Sequence, residues 1–144
     1  MLVRIMRLNE KYNDLPLPRY MTPGSAGLDV CAAIDEPIVI EPLSTVLVPT
    51  NLAVEIESGY ECQVRTRSGL ALKNGIFALN APGTIDSDYR GEIKIILSNF
   101  SKLPYTINRG DRIAQFVFAK YEQASIIEVK KIEDTSRGED RKST

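Results

Sequence analysis

The chain has 144 residues, and its length, composition and charge exclude several classes of protein. This length fits a single domain, and no apolar run approaches the roughly 18 residues that a membrane span needs. Arg4, Arg7 and Glu10 interrupt the first segment, which therefore lacks the apolar core of a signal peptide. With 18 basic and 19 acidic residues, the net charge of -1 gives no general attraction for nucleic acid. We expect one cytoplasmic domain without a membrane or nucleic acid partner.

The absence of histidine restricts the chemistry available to the chain. It excludes a Ser-His-Asp triad, a Cys-His pair and a His-ligated metal centre. A general base must then be Asp, Glu, Lys, Tyr or Cys. Cys31 and Cys62 are too few for a structural zinc cage. In a reducing cytoplasm we expect them to be small buried free thiols rather than a disulfide.

Alternation of apolar and polar residues predicts short strands along most of the chain. In chain order, the predicted strands cover residues 3–8, 37–40, 46–48, 52–57, 60–65, 76–79, 92–98, 113–118 and 126–132. Gly59 lies where a hairpin turn would join the strand over 52–57 to the strand over 60–65. Gly and Pro turn signals separate the other runs. The pattern predicts an all-β sandwich or barrel of the jelly-roll kind.

One short helix and a polar C-terminal tail complete the predicted organisation. The helix is expected over residues 68–73, with Ser68 as its N-cap and Gly75 ending it. From Glu133 onward the last twelve residues contain no apolar side chain, so this segment cannot offset its ordering entropy alone. We therefore expect a β domain over residues 1–132 and a mobile tail over residues 133–144.

Two segments carry polar residues beside turns or helix starts. In SAGLDV, small and apolar residues surround Asp29, which by itself is most simply a turn residue that caps backbone amides. In RTRSGLA, Arg67, Ser68 and Gly69 are consecutive at a possible helix start. A forked guanidinium, a hydroxyl, a close backbone and free N–H groups together suit a phosphate.

A third segment, NAPGTIDSDYRGEI, holds more polar residues than a decorated hairpin needs. The hairpin interpretation accounts for its glycines but not for the crowding of Asn80, Asp86 and Tyr89. A carboxylate beside a planar ring and an amide could activate water next to a nucleoside.

The fourth unusual feature is a polar side chain on an otherwise apolar strand face. Gln115 shares the face of Ile113 and Val117, where a hydrocarbon is expected. A buried glutamine must be hydrogen-bonded, and either a structural partner or a ligand would serve.

Together, these segments resemble ordered motifs of the dUTP pyrophosphatase family. The matching runs are AGLD at 26–29, RSGLA at 67–71, GTIDSDYRGEI at 83–93 and RGDRIAQ at 109–115. Their order and separation also match, and the resemblance covers essentially residues 1–132. It implies an all-β, distorted jelly-roll or β-clip subunit with one short helix. It also implies a homotrimer whose three active sites are shared between subunits.

The resemblance further implies hydrolysis of dUTP to dUMP and pyrophosphate. This reaction limits uracil incorporation into DNA and supplies dUMP for dTMP synthesis. Mg2+ is expected on the substrate phosphates and water, without direct protein ligands, which suits its preference for phosphate oxygens. The chemistry fits a chain without histidine, because it needs an oriented water and donors around the developing charge.

The same resemblance assigns roles to individual residues. Asp86 matches the carboxylate that positions and deprotonates the water attacking the α-phosphorus. Tyr89 matches the aromatic under the deoxyribose, where a ribose 2′-hydroxyl would clash. Asp29 matches a carboxylate that supports the site across the subunit boundary. The remaining implied substrate contacts are Asn80, Thr84, Ile85 and Asp86 at the uracil edge, Arg67, Ser68, Gly69 and Gln115 at the phosphates, and Lys94 beside the substrate.

The C-terminal end departs from the family pattern. Members usually finish with a glycine-rich arm that closes over the triphosphate and stacks a phenylalanine on the base. Arg137 and Gly138 match this arm, so Arg137 is expected to support the site. Asp140 and Arg141 occupy glycine positions, and Lys142 stands where the phenylalanine would be. Because the arm lacks these flexible glycines and the aromatic ring, we expect turnover to be reduced more than substrate binding.

Two alternative functions are open to this sequence. A dCTP deaminase shares the fold and the trimer, but it needs a proton shuttle at the base and has a different third motif. A non-catalytic, nucleotide-binding regulatory trimer is favoured by the altered C-terminal arm.

Overall fold

The computed structural model describes residues 1–141, which form twelve short strands and one α-helix. The strands before the helix are β1 (Val3–Arg7), β2 (Arg19–Tyr20), β3 (Leu28–Cys31), β4 (Ile38–Ile40), β5 (Thr45–Pro49), β6 (Leu52–Ile56) and β7 (Tyr60–Arg65). Helix α1 (Ser68–Asn74) follows, and then come β8 (Ile76–Ala78), β9 (Gly83–Ile85), β10 (Lys94–Asn99), β11 (Tyr105–Ile107) and β12 (Arg112–Lys120). A single 3-10 turn covers Glu10–Tyr12.

The strands pair antiparallel in four small sheets around one aliphatic core. The largest sheet has the order β2-β3-β12-β7-β9, and a second has the order β5-β10-β8. The pairs β1-β6 and β11-β4 complete the set. The core includes Ile40, Ile95, Ile107 and Phe116, each at most 1% exposed. The all-β class with one short helix is confirmed, and the architecture fits the predicted jelly roll.

Strand β10 shows how sequence alternation places the core and the surface. Ile95 and Leu97 are buried, whereas Lys94 is exposed. Ser98 is also buried, and its hydroxyl lies 2.7 Å from the hydroxyl of Thr45 on the neighbouring β5. Burying a side chain such as Ile95 stabilises the fold by about 1.5–3 kcal/mol. Because β10 pairs with β5 and β8 on its two edges, it offers a rigid wall for a site.

Helix α1 begins differently from the prediction. Arg67, not Ser68, is its N-cap, with extended φ and ψ of -81° and 124° and no side-chain capping bond. The Arg67 side chain instead donates to the carbonyl of Arg112, and Ser68 is the first helical residue. The predicted end is confirmed, because Gly75 adopts a left-handed φ of 66° and its N–H bonds to the carbonyl of Ala71.

Two predictions about strands are wrong. Strands β6 and β7 do not form a hairpin, since β6 pairs with β1 and β7 lies between β12 and β9. Gly59, at φ 91°, turns the chain from one sheet into another. The alternating run over 126–132 contains no strand, and residues from 121 to 141 pair with none of the described strands. Its apolar side chains, such as Ile126 and Ile127, are exposed.

Both cysteines are free, as predicted. Cys62 is buried, and burial raises the pKa of its thiol to about 12. Cys31 is only partly buried, and burial raises its pKa as well. Over residues 1–141, no helix combines the length and the apolar character needed to cross a membrane.

Candidate active site

A cavity of about 390 Å³ lies between β9 and β10. Asn80, Asp86 and Tyr89, which crowd together in the third segment, all line it. Val64 and Ile95 contribute apolar surface from β7 and β10. The other predicted residues on its wall are Thr84, Ile85 and Lys94. The structure therefore brings the predicted catalytic, sugar and base residues into one cleft.

The turn that follows β9 fixes Asp86 relative to Tyr89. The Tyr89 N–H donates to the Asp86 carbonyl at 3.1 Å. The Arg90 guanidinium donates to the carbonyls of Ser87 at 2.7 Å and Tyr89 at 3.3 Å. The Asp86 side chain is exposed beside the cleft. This carboxylate is therefore open to water while its backbone is held in place.

Two further contacts shape the walls of the cleft. The Tyr89 hydroxyl donates to the carbonyl of Glu92 at 3.1 Å, which ties the ring to the start of β10. On the other side, a Cβ added to Gly83 would lie 3.1 Å from Nδ2 of Asn80. A glycine on β9 thus lets the Asn80 amide approach the strand closely.

A second group of predicted residues surrounds Asp29 on β3. Asp29 is buried, with 8% of its surface exposed, and its carboxylate has two guanidinium partners. Nε of Arg67 lies 3.3 Å from Oδ1, and Nη1 of Arg112 lies 3.4 Å from Oδ2. Nε2 of Gln115 donates to Oδ1 at 3.3 Å. We call these four residues the arginine cluster; its two positive charges exceed its one negative charge, which suits an anion.

The arginine cluster resolves two interpretations that the sequence left open. Asp29 lies within a strand and contacts guanidinium groups, so it is not a turn residue capping amides. Gln115 is half-buried and has a structural partner in Asp29. It also packs closely on Gly27, where a Cβ would lie 2.9 Å from its Oε1.

Arg112 is the member of the cluster that sequence reasoning missed. Its only signal is its place in the RGDRIAQ segment, three residues before Gln115. The Arg67 guanidinium also donates to the Arg112 carbonyl at 3.1 Å, which joins the start of α1 to β12. Ser68 and Gly69 follow directly and are exposed at the first turn of the helix.

Within one chain, the cleft and the arginine cluster are separate. Asp29 pairs with Gln115, Gln115 pairs with Arg65 on β7, and β9 is the next strand of the sheet. Three strand spacings place Asp29 about 14 Å from β9, and Gln115 on β12 is two spacings from it. The residues that line the cleft include neither Asp29 nor Arg67 nor Gln115.

Arg137 joins neither group of site residues in the described chain. It lies in the exposed tail, where its Nε donates to the carbonyl of Asp140 at 2.7 Å. Lys142, at the position of the family's phenylalanine, lies outside the described residues.

Comparison with known proteins identifies the family. The family model described as dUTPase matches residues 13–144, so the chain belongs to the dUTPase family. The deoxyuridine 5'-triphosphate nucleotidohydrolase of Anaplasma marginale (strain St. Maries) is 56% identical over 137 residues. That match spans 95% of this chain and 92% of the relative. The resemblance carried by the four motifs is confirmed.

Solved structures show the same fold. A mutant dUTPase of Staphylococcus bacteriophage 80alpha with dUpNHpp has a TM-score of 0.84 at 24% identity, covering 97% of this chain and 95% of that chain. A mutant dUTPase from phage phi11 of S. aureus has a TM-score of 0.80 at 25% identity, covering 93% of this chain and all of the other. The latter structure is described as revealing the coordination of a structural Mg(II) ion.

Proposed function

We propose that this chain is a dUTP diphosphatase that hydrolyses dUTP to dUMP and pyrophosphate. The observation that carries the proposal is the cleft between β9 and β10, where a carboxylate, an aromatic ring and an amide meet. Membership of the dUTPase family and a nucleotidohydrolase relative at 56% identity support it. The activity would limit uracil incorporation into DNA and supply dUMP.

In the proposed reaction, Asp86 orients a water molecule and takes its proton. The water oxygen forms a bond to the α-phosphorus, the bond from that phosphorus to the bridging oxygen breaks, and pyrophosphate leaves. The fixed turn supports this role, because it holds an exposed carboxylate beside Tyr89. Little further covalent chemistry is needed from the protein.

Recognition of the nucleoside is assigned to the walls of the cleft. The Asn80 amide and the backbone of Thr84 and Ile85 can pair with the uracil edge, since they line the same cavity. The Tyr89 ring would pack under the deoxyribose and exclude a 2′-hydroxyl. Lys94 lies at the cleft beside the expected substrate position.

Recognition of the phosphates is assigned to Arg67, Ser68, Gly69 and Gln115. The excess positive charge of the arginine cluster supports this role. Mg2+ is proposed as the cofactor, held by phosphate oxygens and water, and it would neutralise charge on the triphosphate. Arg67 and Gln115 would contact some of the phosphate oxygens and leave the others to the ion and its waters.

We further propose a homotrimer in which the arginine cluster of one subunit, supported by its Asp29, faces the cleft of a neighbour. Asp29, Arg67 and Gln115 do not line the cleft of their own chain, which favours this arrangement over a site built in a single subunit. Mixing an Asp86→Asn variant with an Arg67→Gln variant tests it. Random assembly should restore activity at about a quarter of the sites, because these combine intact halves from two subunits.

The control for this mixing experiment is each variant refolded with itself and assayed at dUTP well below KM, which should keep its own reduced activity. Activity that fails to rise in mixed trimers would contradict shared sites.

We also propose that residues 1–132 form the catalytic domain and that residues 133–144 form a separate tail, with Arg137 supporting the triphosphate. A cytoplasmic location without a nucleic acid partner fits the net charge of -1.

The decisive experiment measures pyrophosphate release from dUTP with Mg2+, beside dCTP, UTP and dTTP. We expect release from dUTP alone, which would establish both the reaction and its selectivity for base and sugar. Ammonia release from dCTP would indicate a deaminase instead. Binding of dUpNHpp without any pyrophosphate release would contradict the proposal and favour a non-catalytic nucleotide-binding protein, as the altered C-terminal arm suggests.

A further inference from the structure

Gly91 lies directly against the Tyr89 ring. A Cβ added to Gly91 would overlap the Tyr89 hydroxyl oxygen and would lie 2.6 Å from Cζ and 3.1 Å from Cε1. The φ of Gly91 is not in the left-handed region, so its backbone conformation does not itself require glycine. The ring of Tyr89 is therefore what excludes a side chain at this position.

The backbone that the Tyr89 hydroxyl contacts is anchored, so it cannot yield to a new side chain at position 91. The Tyr89 hydroxyl donates to the Glu92 carbonyl. The Glu92 carboxylate accepts from the Asn51 N–H at 3.0 Å, and the N–H of Ile93 donates to the Leu52 carbonyl at 2.8 Å. These bonds tie the two residues before β10 to the start of β6 and the residue before it. A methyl group at position 91 would therefore displace the ring rather than the strand.

We propose that Gly91 is a positioning residue that sets sugar selectivity by fixing where the Tyr89 ring lies in the cleft. The inference rests on the proposed function, in which that ring packs under the deoxyribose. A displaced ring would lose its bond to Glu92 and would no longer pack flat under the deoxyribose. The site would then distinguish poorly between a 2′-hydrogen and a 2′-hydroxyl.

The direct test is Gly91→Ala, assayed for kcat and KM with dUTP and with UTP. We expect the KM for dUTP to rise about tenfold and the ratio of kcat/KM between dUTP and UTP to fall by at least about tenfold. The kcat for dUTP should change less, because Asp86 is held by other hydrogen bonds. An unchanged ratio would overturn the proposal.

Gly24→Ala is the matched control. Apart from its chain neighbours, no heavy atom of residues 1–141 lies within 4 Å of a Cβ added to Gly24, and its φ is not in the left-handed region. This substitution should leave kcat, KM and the ratio as they are. The melting temperatures of both variants check that each one is folded.

A double-mutant cycle separates displacement of the ring from damage to the backbone. In a Tyr89→Ala background the ring is gone, so adding Gly91→Ala should change neither KM nor the dUTP/UTP ratio further. If Gly91→Ala costs the same factor in both backgrounds, its effect does not pass through the ring and the inference is wrong.

Calorimetric binding of dUpNHpp and its ribose counterpart gives a readout that does not need turnover. Gly91→Ala should bring the two affinities closer together, and equal preference in variant and wild type would again overturn the inference. A wild-type chain that binds dUpNHpp but releases no pyrophosphate from dUTP would contradict the proposed function alone. The two failures are therefore distinguishable.

Discussion

The two halves of the candidate site are built by different means. The cleft takes most of its walls from one continuous stretch, residues 80–96, and hydrogen bonds to backbone carbonyls brace it. The arginine cluster joins Asp29, Arg67, Arg112 and Gln115 from three distant parts of the chain around one buried carboxylate. We therefore expect the shape of the cleft to determine what the first half binds, and the charge of the arginine cluster to determine what the second half binds.

The difference predicts how each half tolerates substitution. In the cleft, a change of shape at one position should alter selectivity while leaving charge attraction intact. In the arginine cluster, removing one charge leaves the buried Asp29 carboxylate with fewer partners, which is costly because a buried charge must be paired. Substitutions that separate these two responses test the comparison.

The largest expected effect is that of Asp86→Asn, which removes the proposed base from the cleft. We expect kcat for dUTP to fall by about a thousandfold or more, since a positioned general base contributes 10²–10⁴-fold. Binding of dUpNHpp, measured by calorimetry, should stay within a few-fold of wild type because the walls are unchanged.

Asp88→Asn is the matched control for the Asp86 variant. Asp88 is exposed in the same turn and does not line the cleft. Its kcat should stay close to that of wild type. Equal losses in the two variants would show that the turn, not the base, had been damaged.

An intermediate effect is expected when the two halves are disrupted separately. Arg67→Gln should weaken dUpNHpp binding about 10- to 100-fold, because it removes a charged hydrogen-bond donor from the phosphate half. It should leave the weak binding of deoxyuridine unchanged. Asn80→Ala should instead weaken both ligands. If Arg67→Gln also weakened deoxyuridine, the proposed division between shape and charge would be wrong.

The smallest effect is expected outside both halves, at the exposed pair of Asp14 and Arg109. Both guanidinium Nη atoms lie 2.7 Å from the Asp14 oxygens, which lowers the pKa of Asp14 to about 2. Because this value lies below the unfolded value of about 3.9, the pair stabilises the fold above about pH 4. The stabilisation is lost as the pH falls toward 2.

Asp14→Asn measures that contribution. Its free energy of unfolding should fall less than that of wild type between pH 4 and pH 2, while activity at neutral pH stays unchanged. The difference should be small, since exposed ion pairs contribute little. A parallel decline of the two proteins with pH would contradict the assignment.

The sequence predicted best what short-range pattern determines. The crowding of Asn80, Asp86 and Tyr89 in one segment correctly indicated one cleft, because neighbours across a turn must lie close together. Gly75 ends α1 as predicted, because its left-handed φ is a local property of glycine.

Long-range partners were the main source of error. The run before Gly59 pairs with β1, near the N-terminus, and a local turn signal cannot indicate that choice. Arg67 takes the N-cap position predicted for Ser68, and its side chain contacts residues on β3 and β12 that are distant in sequence. The run over 126–132 has strand-like alternation, but alternation specifies a buried face and not the strand that would pair with it.

The cleft lies between two different sheets, which has a consequence for the dynamics of the protein. β9 is the edge of the five-stranded sheet, whereas β10 is the centre of the three-stranded sheet. Among residues 1–141 no strand pairing joins these two walls, which are connected by the braced turn between them and by packing in the core. A nucleotide bound as proposed would contact both walls and hold them together. Its binding free energy would thus be linked to the cooperativity of the whole fold, and occupancy would stiffen two sheets at once.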